Sequence, residues 1–447
     1  MRDDPHHLRR EIAQRLFAAT RALPTSATSR IGRTALAALR SGHYVWSHGP
    51  SKNQADETQE EFDVEALAEL VMSIGQLKGV AMKMGQILSY IDVAVPDSLR
   101  QAFAALQDHA PPMTEVQVRT ILSQELGSRA AEVLAGLDPQ PLAAASIGQV
   151  HRVVLGDGTE LAIKVQYPEI EHAIRSDFKA AAVGTQLPSL LLPGVNIQGF
   201  VAEARARFLE ECDYVHEAQA QQEFGVLFAD HDLLVVPAIF PELCTRRVLA
   251  SALVRGQHFD AFLASDPSPE LRDRIGVALF DFYLGTLFKN GLYNCDPHPG
   301  NYLFLDDNRV AMLDYGCTRR FDPSFVRKMA ALTRAVQEDG REALHAALVD
   351  LGIVRAKKRY DEATVRRLLR AFFGPMLHDR TAAIALDEVR SMRQVVDAKR
   401  QMLKLSLPAE FLFLFRIRFG LMSVLARLGA RANWYQLERQ AIEASSA

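Results

Sequence analysis

The chain has 447 residues, of which 48% are hydrophobic and 23% are charged. This is the composition of a globular protein long enough for two or three packed units. The formal net charge of −3 gives no overall basic surface, so we expect no nucleic-acid partner. The four cysteines form no CxxC pair, which excludes the usual zinc spacings and indicates reduced thiols.

The balance of charge changes sign near the N-terminus. Residues 1–52 carry nine Lys or Arg and three acidic residues, whereas residues 53–69 carry seven acidic residues and no basic one. This switch predicts a boundary, with a charged and partly flexible segment over 1–60. The basic stretch is open to two interpretations, a solvated tail or a segment that contacts a membrane surface or a partner.

Apolar residues recur at helical spacing from Val64 through Ile91, which predicts one long helix or two. Further along, Thr114 precedes another helical stretch that ends near Gly127. The region 61–135 is therefore predicted to be a helical extension.

The pattern then changes from helix to strand. SIGQVHRVVL and ELAIKVQY flank GDGT at 156–159, which is a typical signal of a β-hairpin. A helical stretch from about 168 to 222 separates this hairpin from two further predicted strands, at 233–240 and 246–254. We expect the region 136–255 to form a small strand-rich lobe.

Helical periodicity dominates from Leu271 to the end of the sequence, apart from one hairpin at 301–314. The region 256–447 is therefore predicted to be a larger, helical lobe. The most apolar segment, 407–429, is interrupted by three arginines, so a pair of core helices is favoured over a membrane span. No run of about 18 uncharged apolar residues and no signal-peptide pattern is found in the sequence.

The segment YNCDPHPGNYLFLDDNRVAMLDYG at 293–316 carries the strongest chemical pattern. Asp296 and Asn301 lie five residues apart on a stretch that prolines keep from becoming helical, and a compact hairpin then delivers Asp314. An amide and a carboxylate placed close together suit Mg²⁺, which also takes phosphate oxygens. Asp296 can then orient an attacking hydroxyl or water, or accept its proton. The alternative is that Asp296 and Asn301 only cap turns, and His298 is predicted to be a structural residue of this loop.

LAIKVQYP at 161–168 sets Lys164 into an apolar strand, where an ammonium group needs an anionic partner. A strand lysine followed by D-x4-N, a hairpin and DxG is the order found in protein kinases. In that arrangement the lysine reaches nucleotide phosphates and is held by a helical glutamate. Glu211 and Glu217, within a helical pattern at 203–221, are the candidate acids.

These motifs resemble those of the UbiB family of atypical protein-kinase-like proteins, also called the AarF or ADCK-like family. The resemblance covers roughly residues 70–430. KMGQ at 83–86 matches the KxGQ signature, LAAASIGQVH at 142–151 the alanine-rich loop, and ECD at 211–213 the ExD motif. NCDPHPGN and LDYG match the catalytic and metal motifs, with Tyr315 where Phe is usual.

The resemblance implies an α+β, bilobal protein-kinase-like fold with an N-terminal helical extension. It also implies ATP and Mg²⁺ as cofactors and identifies Glu217 as the partner of Lys164. The implied catalytic residues are Asp296, Lys164 and Glu217, and the implied metal ligands are Asn301 and Asp314. The implied nucleotide-binding residues are Ala143, Ala144, Ala145, Ser146, Gly148 and Lys164.

The alanine-rich loop and the KMGQ helix set this pattern apart from ordinary kinases. Alanine side chains restrict a loop more than glycine does, so the loop should cover nucleotide differently, unless 142–145 is a plain strand entry. By resemblance Lys83, Gly85 and Gln86 form a regulatory motif in which Lys83 pairs with Glu211 and Asp213. The alternative is a solvated helix face. If the resemblance holds, the KMGQ helix would block a peptide-binding groove, which argues against protein acceptors.

The resemblance implies an ATPase, or a small-molecule or lipid kinase, that supports isoprenoid-quinone (ubiquinone-type) biosynthesis. Two alternatives stay open: an ATP-binding pseudokinase scaffold for a biosynthetic complex, or a kinase that acts in trans on a protein or small molecule. The expected partners are ATP and an isoprenoid lipid or quinone precursor. We expect a cytoplasmic protein whose contact with a membrane or a biosynthetic complex, where it occurs, is peripheral.

Overall fold

The computed structural model describes residues 113–145, 147–168, 170–172, 175, 209–354, 360–386 and 409–444. These residues belong to two compact units. Unit 1 takes the described residues within 113–159, 163–213 and 245–248. Unit 2 takes Glu160–Ala162, Tyr214–Cys244 and the described residues from Leu249 onward.

The helices are α1 (Glu115–Leu126), α2 (Ala130–Ala135), α3 (Tyr214–Leu227), α4 (Phe259–Ala264), α5 (Pro269–Phe280), α6 (Thr286–Asn290), α7 (Pro323–Gln337), α8 (Arg341–Asp350), α9 (Glu362–Phe373), α10 (Ala409–Leu428) and α11 (Trp434–Ala444). The strands are β1 (Leu137–Ala145), β2 (Gly148–Val154), β3 (Glu160–Gln166), β4 (Leu234–Val235), β5 (Val248–Ala252), β6 (Leu292–Asn294), β7 (Tyr302–Phe304), β8 (Val310–Met312), β9 (Thr318–Arg320), β10 (Ala382–Ala383) and β11 (Arg431–Ala432).

The first described helix begins and ends where the sequence predicts. Gln117 N donates to Thr114 Oγ1 at 3.3 Å, and Thr114 N donates to Gln117 Oε1 at 2.9 Å. This reciprocal pair is a capping box, which satisfies backbone donors that the first turn leaves unpaired. Gly127 then ends α1 with a positive φ of 54°, a conformation that glycine adopts without steric cost.

A four-stranded sheet runs in the order β1-β2-β3-β5. The predicted GDGT hairpin is confirmed, because Leu155 N donates to Thr159 O at 2.9 Å between β2 and β3. Along β3 the side chains of Leu161, Ile163 and Val165 are fully buried. Lys164 alternates with them and is half-buried on the other face of the strand.

Unit 2 contains most of the described helices and an aromatic-rich core. Between α5 and α6 the helix widens into a π-helical turn over Asp281–Gly285. The predicted hairpin at 301–314 is confirmed as the antiparallel pair β7–β8, and β4 joins it in parallel beside β8. A second antiparallel pair joins β6 to β9. These short strands hold the loops that carry the predicted catalytic residues.

Two predicted elements differ from the structure. The strand predicted over 233–240 is only β4, followed by one bridge between Ile239 and Ser251, because Pro237 has no N–H to donate to a ladder. The helix pair predicted over 407–429 is the single helix α10, which ends before Gly429 at a φ of 70°. Among the described helices, none is long and apolar enough to cross a membrane.

One ion pair is fully buried in the helical core of unit 2. Arg418 on α10 donates from Nη1 to Glu438 Oε1 on α11 at 2.5 Å, and their side chains are 3% and 0% exposed. Arg418 Nε also donates to Phe372 O at 3.2 Å, while Gln337 Nε2 donates to Glu438 Oε2 at 3.3 Å. The pair therefore joins α7, α9, α10 and α11 through charge-assisted hydrogen bonds.

Candidate active site

The predicted catalytic loop begins at a buried amide. Asn294 ends β6 and is 2% exposed. Its Oδ1 accepts a hydrogen bond from Asp296 N at 3.0 Å, and its Nδ2 donates to Asp314 O at 2.8 Å. One side chain therefore fixes the two predicted functional loops to each other. Sequence reasoning missed Asn294; its only signal was a polar residue at the end of an apolar strand, just before the motif.

Asp296 and Asn301 contact each other directly. Asn301 Nδ2 donates to both the backbone O and the carboxylate Oδ2 of Asp296, each at 3.0 Å. The chain between them folds back because His298 N donates to Asp296 O at 2.7 Å and Asn301 N donates to His298 O at 2.9 Å. Asn301 thus orients the Asp296 carboxylate and, through the Asp296 backbone O, also caps the turn, so both interpretations of this pair fit the contacts. As expected of a structural residue, His298 accepts a hydrogen bond at Nδ1 from Gly300 N at 3.0 Å.

Two carboxylates border Gly316 in the DYG segment. Gly316 N donates to Asp314 Oδ1 at 2.9 Å. A Cβ atom at Gly316 would lie 3.2 Å from Glu217 Oε2 and 3.4 Å from Asp314 Oδ1. Glu217 lies in the first turn of α3, at the positive end of the helix dipole, and is 3% exposed. Carboxylates gathered at one small residue favour a cation between or beside them.

The donor set fits Mg²⁺. Because Asn301 turns its Nδ2 toward Asp296, its Oδ1 faces away from that carboxylate, and no described residue donates to it. An amide oxygen together with the Asp314 carboxylate is the oxygen-rich set that Mg²⁺ prefers. Within the described ranges, no three His, Cys, Asp or Glu side chains converge as a metal site. An ion here would therefore depend on the amide and on oxygens from its ligand.

Buried tyrosines support the loop from behind. The hydroxyls of Tyr283 and Tyr302 lie 3.1 Å apart, and Tyr283 OH donates to Asp296 O at 3.4 Å. Burial raises the pKa of the Tyr283 phenol well above its ordinary value. Tyr315 is also fully buried, with its ring 5.3 Å from that of Phe224. These phenols stay neutral, so they act as hydrogen-bonding and packing groups.

Helix α10 packs directly on the same loop. A Cβ atom at Gly420 would lie 2.6 Å from Pro297 Cγ. Real Cβ atoms do not approach carbon this closely, so only glycine lets the helix and the loop meet without a shift. The position of the catalytic loop therefore depends on a glycine more than 100 residues away in sequence.

The predicted nucleotide-binding residues of unit 1 lie on its strands. Ala143, Ala144 and Ala145 form the end of β1 and pair with β2, and Ser146 lies outside the described residues. Residues 143–145 are therefore part of a strand up to the tip of the hairpin, in agreement with the alternative that 142–145 is a plain strand entry. Close packing requires glycine at position 148, because a Cβ atom there would lie 2.1 Å from Val165 O. The role of Lys164 toward phosphates, and its pairing with Glu217, stay predictions.

The ExD motif lies immediately before α3. Glu211 and Asp213 are half-buried, and Asp213 Oδ2 lies 3.6 Å from Arg246 Nε in a loose ion pair. The same guanidinium lies 3.6 Å from Glu171 Oε2. The KMGQ residues Lys83, Gly85 and Gln86 lie outside the described part of the chain. The predicted pairing of Lys83 with the ExD acids therefore stays a prediction.

Comparison with known families identifies the fold that carries this geometry. Residues 105–348 match the model of the ABC1 atypical kinase-like domain. The chain belongs to this family. The membership confirms the resemblance carried by the alanine-rich, ExD, NCDPHPGN and LDYG motifs, and it confirms the mixed α and β kinase-like fold.

Several relatives of this ABC1 family member carry kinase names. The chain is 33% identical over 331 residues to the atypical kinase COQ8B, mitochondrial, of Rattus norvegicus, covering 72% of this chain and 61% of that protein. It is 30% identical over 279 residues to the atypical kinase COQ8, mitochondrial, of Saccharomyces cerevisiae, covering 62% and 55%. The match thus spans less than two thirds of the length of these curated relatives.

A solved structure is similar over most of the chain. It is the complex of Rv3197 with erythromycin from Mycobacterium tuberculosis, at 28% identity and a TM-score of 0.64. The similarity covers 88% of this chain and 99% of that one. Membership of an atypical kinase family supports phosphoryl chemistry of the kinase or ATPase type and implies nucleotide binding.

Proposed function

We propose that this ABC1 family member is an ATP- and Mg²⁺-dependent ATPase, or a small-molecule or lipid kinase, that supports isoprenoid-quinone biosynthesis. One observation carries the proposal. The Asn301 amide holds the Asp296 carboxylate, while the Asp314 carboxylate and Glu217 border the same glycine. A general base, an amide oxygen and a pair of carboxylates are the parts that phosphoryl transfer requires.

Bound ATP and Mg²⁺ supply the transferable phosphoryl group and the charge that neutralises its oxygens. Asn301 and Asp314 are the residues that would hold the metal. Asp296, whose Oδ2 is fixed by Asn301, would orient the acceptor hydroxyl or water and accept its proton. Lys164 would bind phosphate oxygens, with Glu217 as its partner, and the Ala143–Ala145 segment would restrict how nucleotide is covered.

The proposed acceptor is an isoprenoid lipid or a quinone precursor. Relatives named mitochondrial atypical kinases, together with the UbiB-type motifs, support this class. The predicted KMGQ element argues against a peptide acceptor. We expect contact with a membrane to be peripheral, through the basic N-terminal stretch.

The test is ATP hydrolysis by the purified protein, measured as phosphate release with and without Mg²⁺, anionic liposomes and a phenolic quinone-precursor mimic. Asp314→Asn and Asp296→Asn should each lower turnover by at least about 100-fold. Asp307→Asn is the matched control, since Asp307 lies in the exposed turn of the same hairpin and bonds only Arg309. It should leave turnover unchanged.

Each outcome separates the candidate functions. Turnover that needs Mg²⁺, rises with lipid and is lost in Asp314→Asn supports the proposal. Nucleotide binding without turnover in any condition contradicts it and favours the scaffold. Transfer of phosphate to an added protein, with no response to lipid, contradicts the lipid assignment and favours a kinase acting in trans.

A further inference from the structure

Unit 2 contains a cavity that is separate from the residues of the candidate active site. Its volume is about 580 Å³, within the range of small-molecule sites. Its walls come from the end of α7, from α9, from the turn at Gly374–Leu377, from β10 and from Trp434 at the start of α11. None of the predicted catalytic or metal residues lines it.

Positive charge at this cavity is only partly compensated. Arg366 on α9 pairs with Asp339 and, at 3.0 Å, with Glu362. Arg370 and Arg380 also line the cavity, and no described carboxylate pairs with either of them. The two guanidiniums therefore present hydrogen-bond donors in the fork geometry that suits carboxylate and phosphate.

Asp379 lies between Arg370 and Arg380 in sequence, but its carboxylate bonds other residues. Asp379 accepts hydrogen bonds from Asn433 Nδ2 at 2.7 Å and from Gln436 Nε2 at 2.8 Å. Both donors are neutral amides, so the carboxylate is used to anchor the start of α11. Within the described part of the chain, the exposed guanidiniums of Arg370 and Arg380 therefore keep positive charge at the rim of the cavity that an anionic ligand can use.

The remaining walls are largely apolar and include one unused acceptor. Leu369, Leu377 and Trp434 line the cavity, and the Trp434 indole is fixed by a hydrogen bond from Nε1 to Ala382 O at 2.9 Å. Gln337 Nε2 is taken by Met376 O and Glu438 Oε2. Its Oε1 is buried and has no partner among the described residues.

We propose that this cavity binds a small amphiphilic organic anion, with a phosphate or carboxylate head on Arg370 and Arg380 and an apolar body against Leu369, Leu377 and Trp434. The combination selects against both inorganic anions, which leave the apolar wall uncovered, and neutral apolar molecules, which leave the guanidiniums unpaired. This site is additional to the proposed function and does not depend on it. The head group has two possible sources, a free amphiphile or an anionic lipid.

The test uses calorimetric titration of the full chain at low ionic strength with octyl phosphate, inorganic phosphate and octanol. Vesicles of phosphatidylcholine with and without phosphatidic acid form a separate cosedimentation arm. The test variant is R370Q/R380Q, and R367Q is the matched control. Arg367 is an exposed residue of the same helix that bonds Thr364 Oγ1 and does not line the cavity. Thermal unfolding of each variant checks that the fold is kept.

We expect one molecule of octyl phosphate per chain, bound at least about tenfold more tightly than inorganic phosphate or octanol. R370Q/R380Q should weaken this binding at least about tenfold, while R367Q leaves it unchanged. Binding only to vesicles with phosphatidic acid, lost in R370Q/R380Q alone, supports the site with a lipid head group as its source. Equal binding by the two variants, or no binding in either arm, overturns the proposal.

Discussion

Among single residues, Tyr315 has a buried hydroxyl that forms no hydrogen bond with any residue that the structure describes. Its side chain is fully buried, with ring centroids 5.3 Å from Phe224 and 6.3 Å from Phe282. The hydroxyl has no hydrogen-bond partner among the described residues. Tyr283 is the contrasting case, because its hydroxyl bonds both Tyr302 OH and Asp296 O. An unpaired buried hydroxyl costs about 1–3 kcal/mol.

Tyr315→Phe should therefore raise the free energy of unfolding by about 1 kcal/mol, since it removes only an unsatisfied group. Tyr283→Phe should lower it by about 1 kcal/mol, since it breaks satisfied hydrogen bonds. Urea unfolding followed by circular dichroism measures both changes. A loss of stability in Tyr315→Phe equal to that in Tyr283→Phe would show that the Tyr315 hydroxyl has a partner.

How far the site could be predicted depends on the range of its contacts. That Asp296, Asn301 and Asp314 lie near one another could be predicted, because the loop and the β7–β8 hairpin bring them together through local chain geometry; their roles stay predictions. Asn294 was missed because its partner Asp314 is 20 residues away and no local pattern encodes that bond. The close approach of Gly148 to Val165 O was likewise not predictable, because the two residues are 17 positions apart and no local pattern encodes that contact.

At the scale of secondary-structure elements, contacts between helices set the geometry of the loops. Helix α10 approaches the catalytic loop at Gly420, where no side chain fits against Pro297. The same helix carries Arg418, whose pair with Glu438 joins it to α11. Helix α10 therefore contacts both the core and the loop that carries Asp296, so a change in core packing would change the position of that loop.

Gly420→Ala should lower the free energy of unfolding by about 1–3 kcal/mol, because the new methyl group overlaps Pro297. It should also lower ATP turnover, because the loop must shift. Gly225→Ala on α3 is the matched control, since its Cβ atom would lie 3.8 Å from the nearest side chain, that of Val236. The control should be neutral or stabilising by up to about 1 kcal/mol. Equal effects of the two variants on turnover would contradict this account.

Glu438→Gln should lower the free energy of unfolding by about 3 kcal/mol or more, because it leaves the Arg418 guanidinium buried without a counter-ion. Glu443→Gln on the same helix is the control, since Glu443 is 65% exposed and lies 3.8 Å from Arg439. It should change stability by less than about 1 kcal/mol. The double variant Arg418→Met/Glu438→Leu should be less destabilised than Glu438→Gln. Urea unfolding decides whether that order holds.

The elements themselves were predictable wherever a local signal marks their ends. Thr114 and Gly127 mark the two ends of α1, and the GDGT turn connects β2 to β3, as expected from capping and turn chemistry. The strand at 233–240 was overestimated because apolar composition alone does not supply a pairing partner. The segment 407–429 was predicted to be two helices but forms the single helix α10, because apolar composition does not show whether a break lies within a helical run or after it.

At the scale of the whole molecule, buried phenols link stability to alkaline pH. Tyr283, Tyr293, Tyr302 and Tyr315 are all fully buried. Burial raises the pKa of each phenol above its ordinary value near 10. The native state therefore holds protons that the unfolded chain releases above pH 10, so these phenols leave the free energy of unfolding independent of pH well below pH 10 and lower it as the pH rises above that value.

The free energy of unfolding should thus fall steeply above pH 10, by about 1.4 kcal/mol per pH unit for each of these tyrosines. Urea unfolding at several pH values between 8.5 and 11 measures the slope. Tyr293→Phe removes one of these ionisable phenols. The slope of the unfolding free energy against pH should therefore become shallower by about 1.4 kcal/mol per pH unit. A slope that does not change in this variant would mean that Tyr293 ionises in the native state.

The π-helical turn at Asp281–Gly285 constrains how the chain can vary in length. It holds an additional residue compared with a regular α-helix, and Tyr283, which reaches Asp296 O, lies at its centre. Deleting one residue there would restore regular α-helical winding, with the flanking helices in nearly the same register, but it would remove the wide turn that places Tyr283 against Asp296 O. Single substitutions in this turn can be tolerated, whereas the deletion of one residue cannot. Related sequences that keep the loop should therefore keep the number of residues between α5 and α6, even where the residues themselves differ.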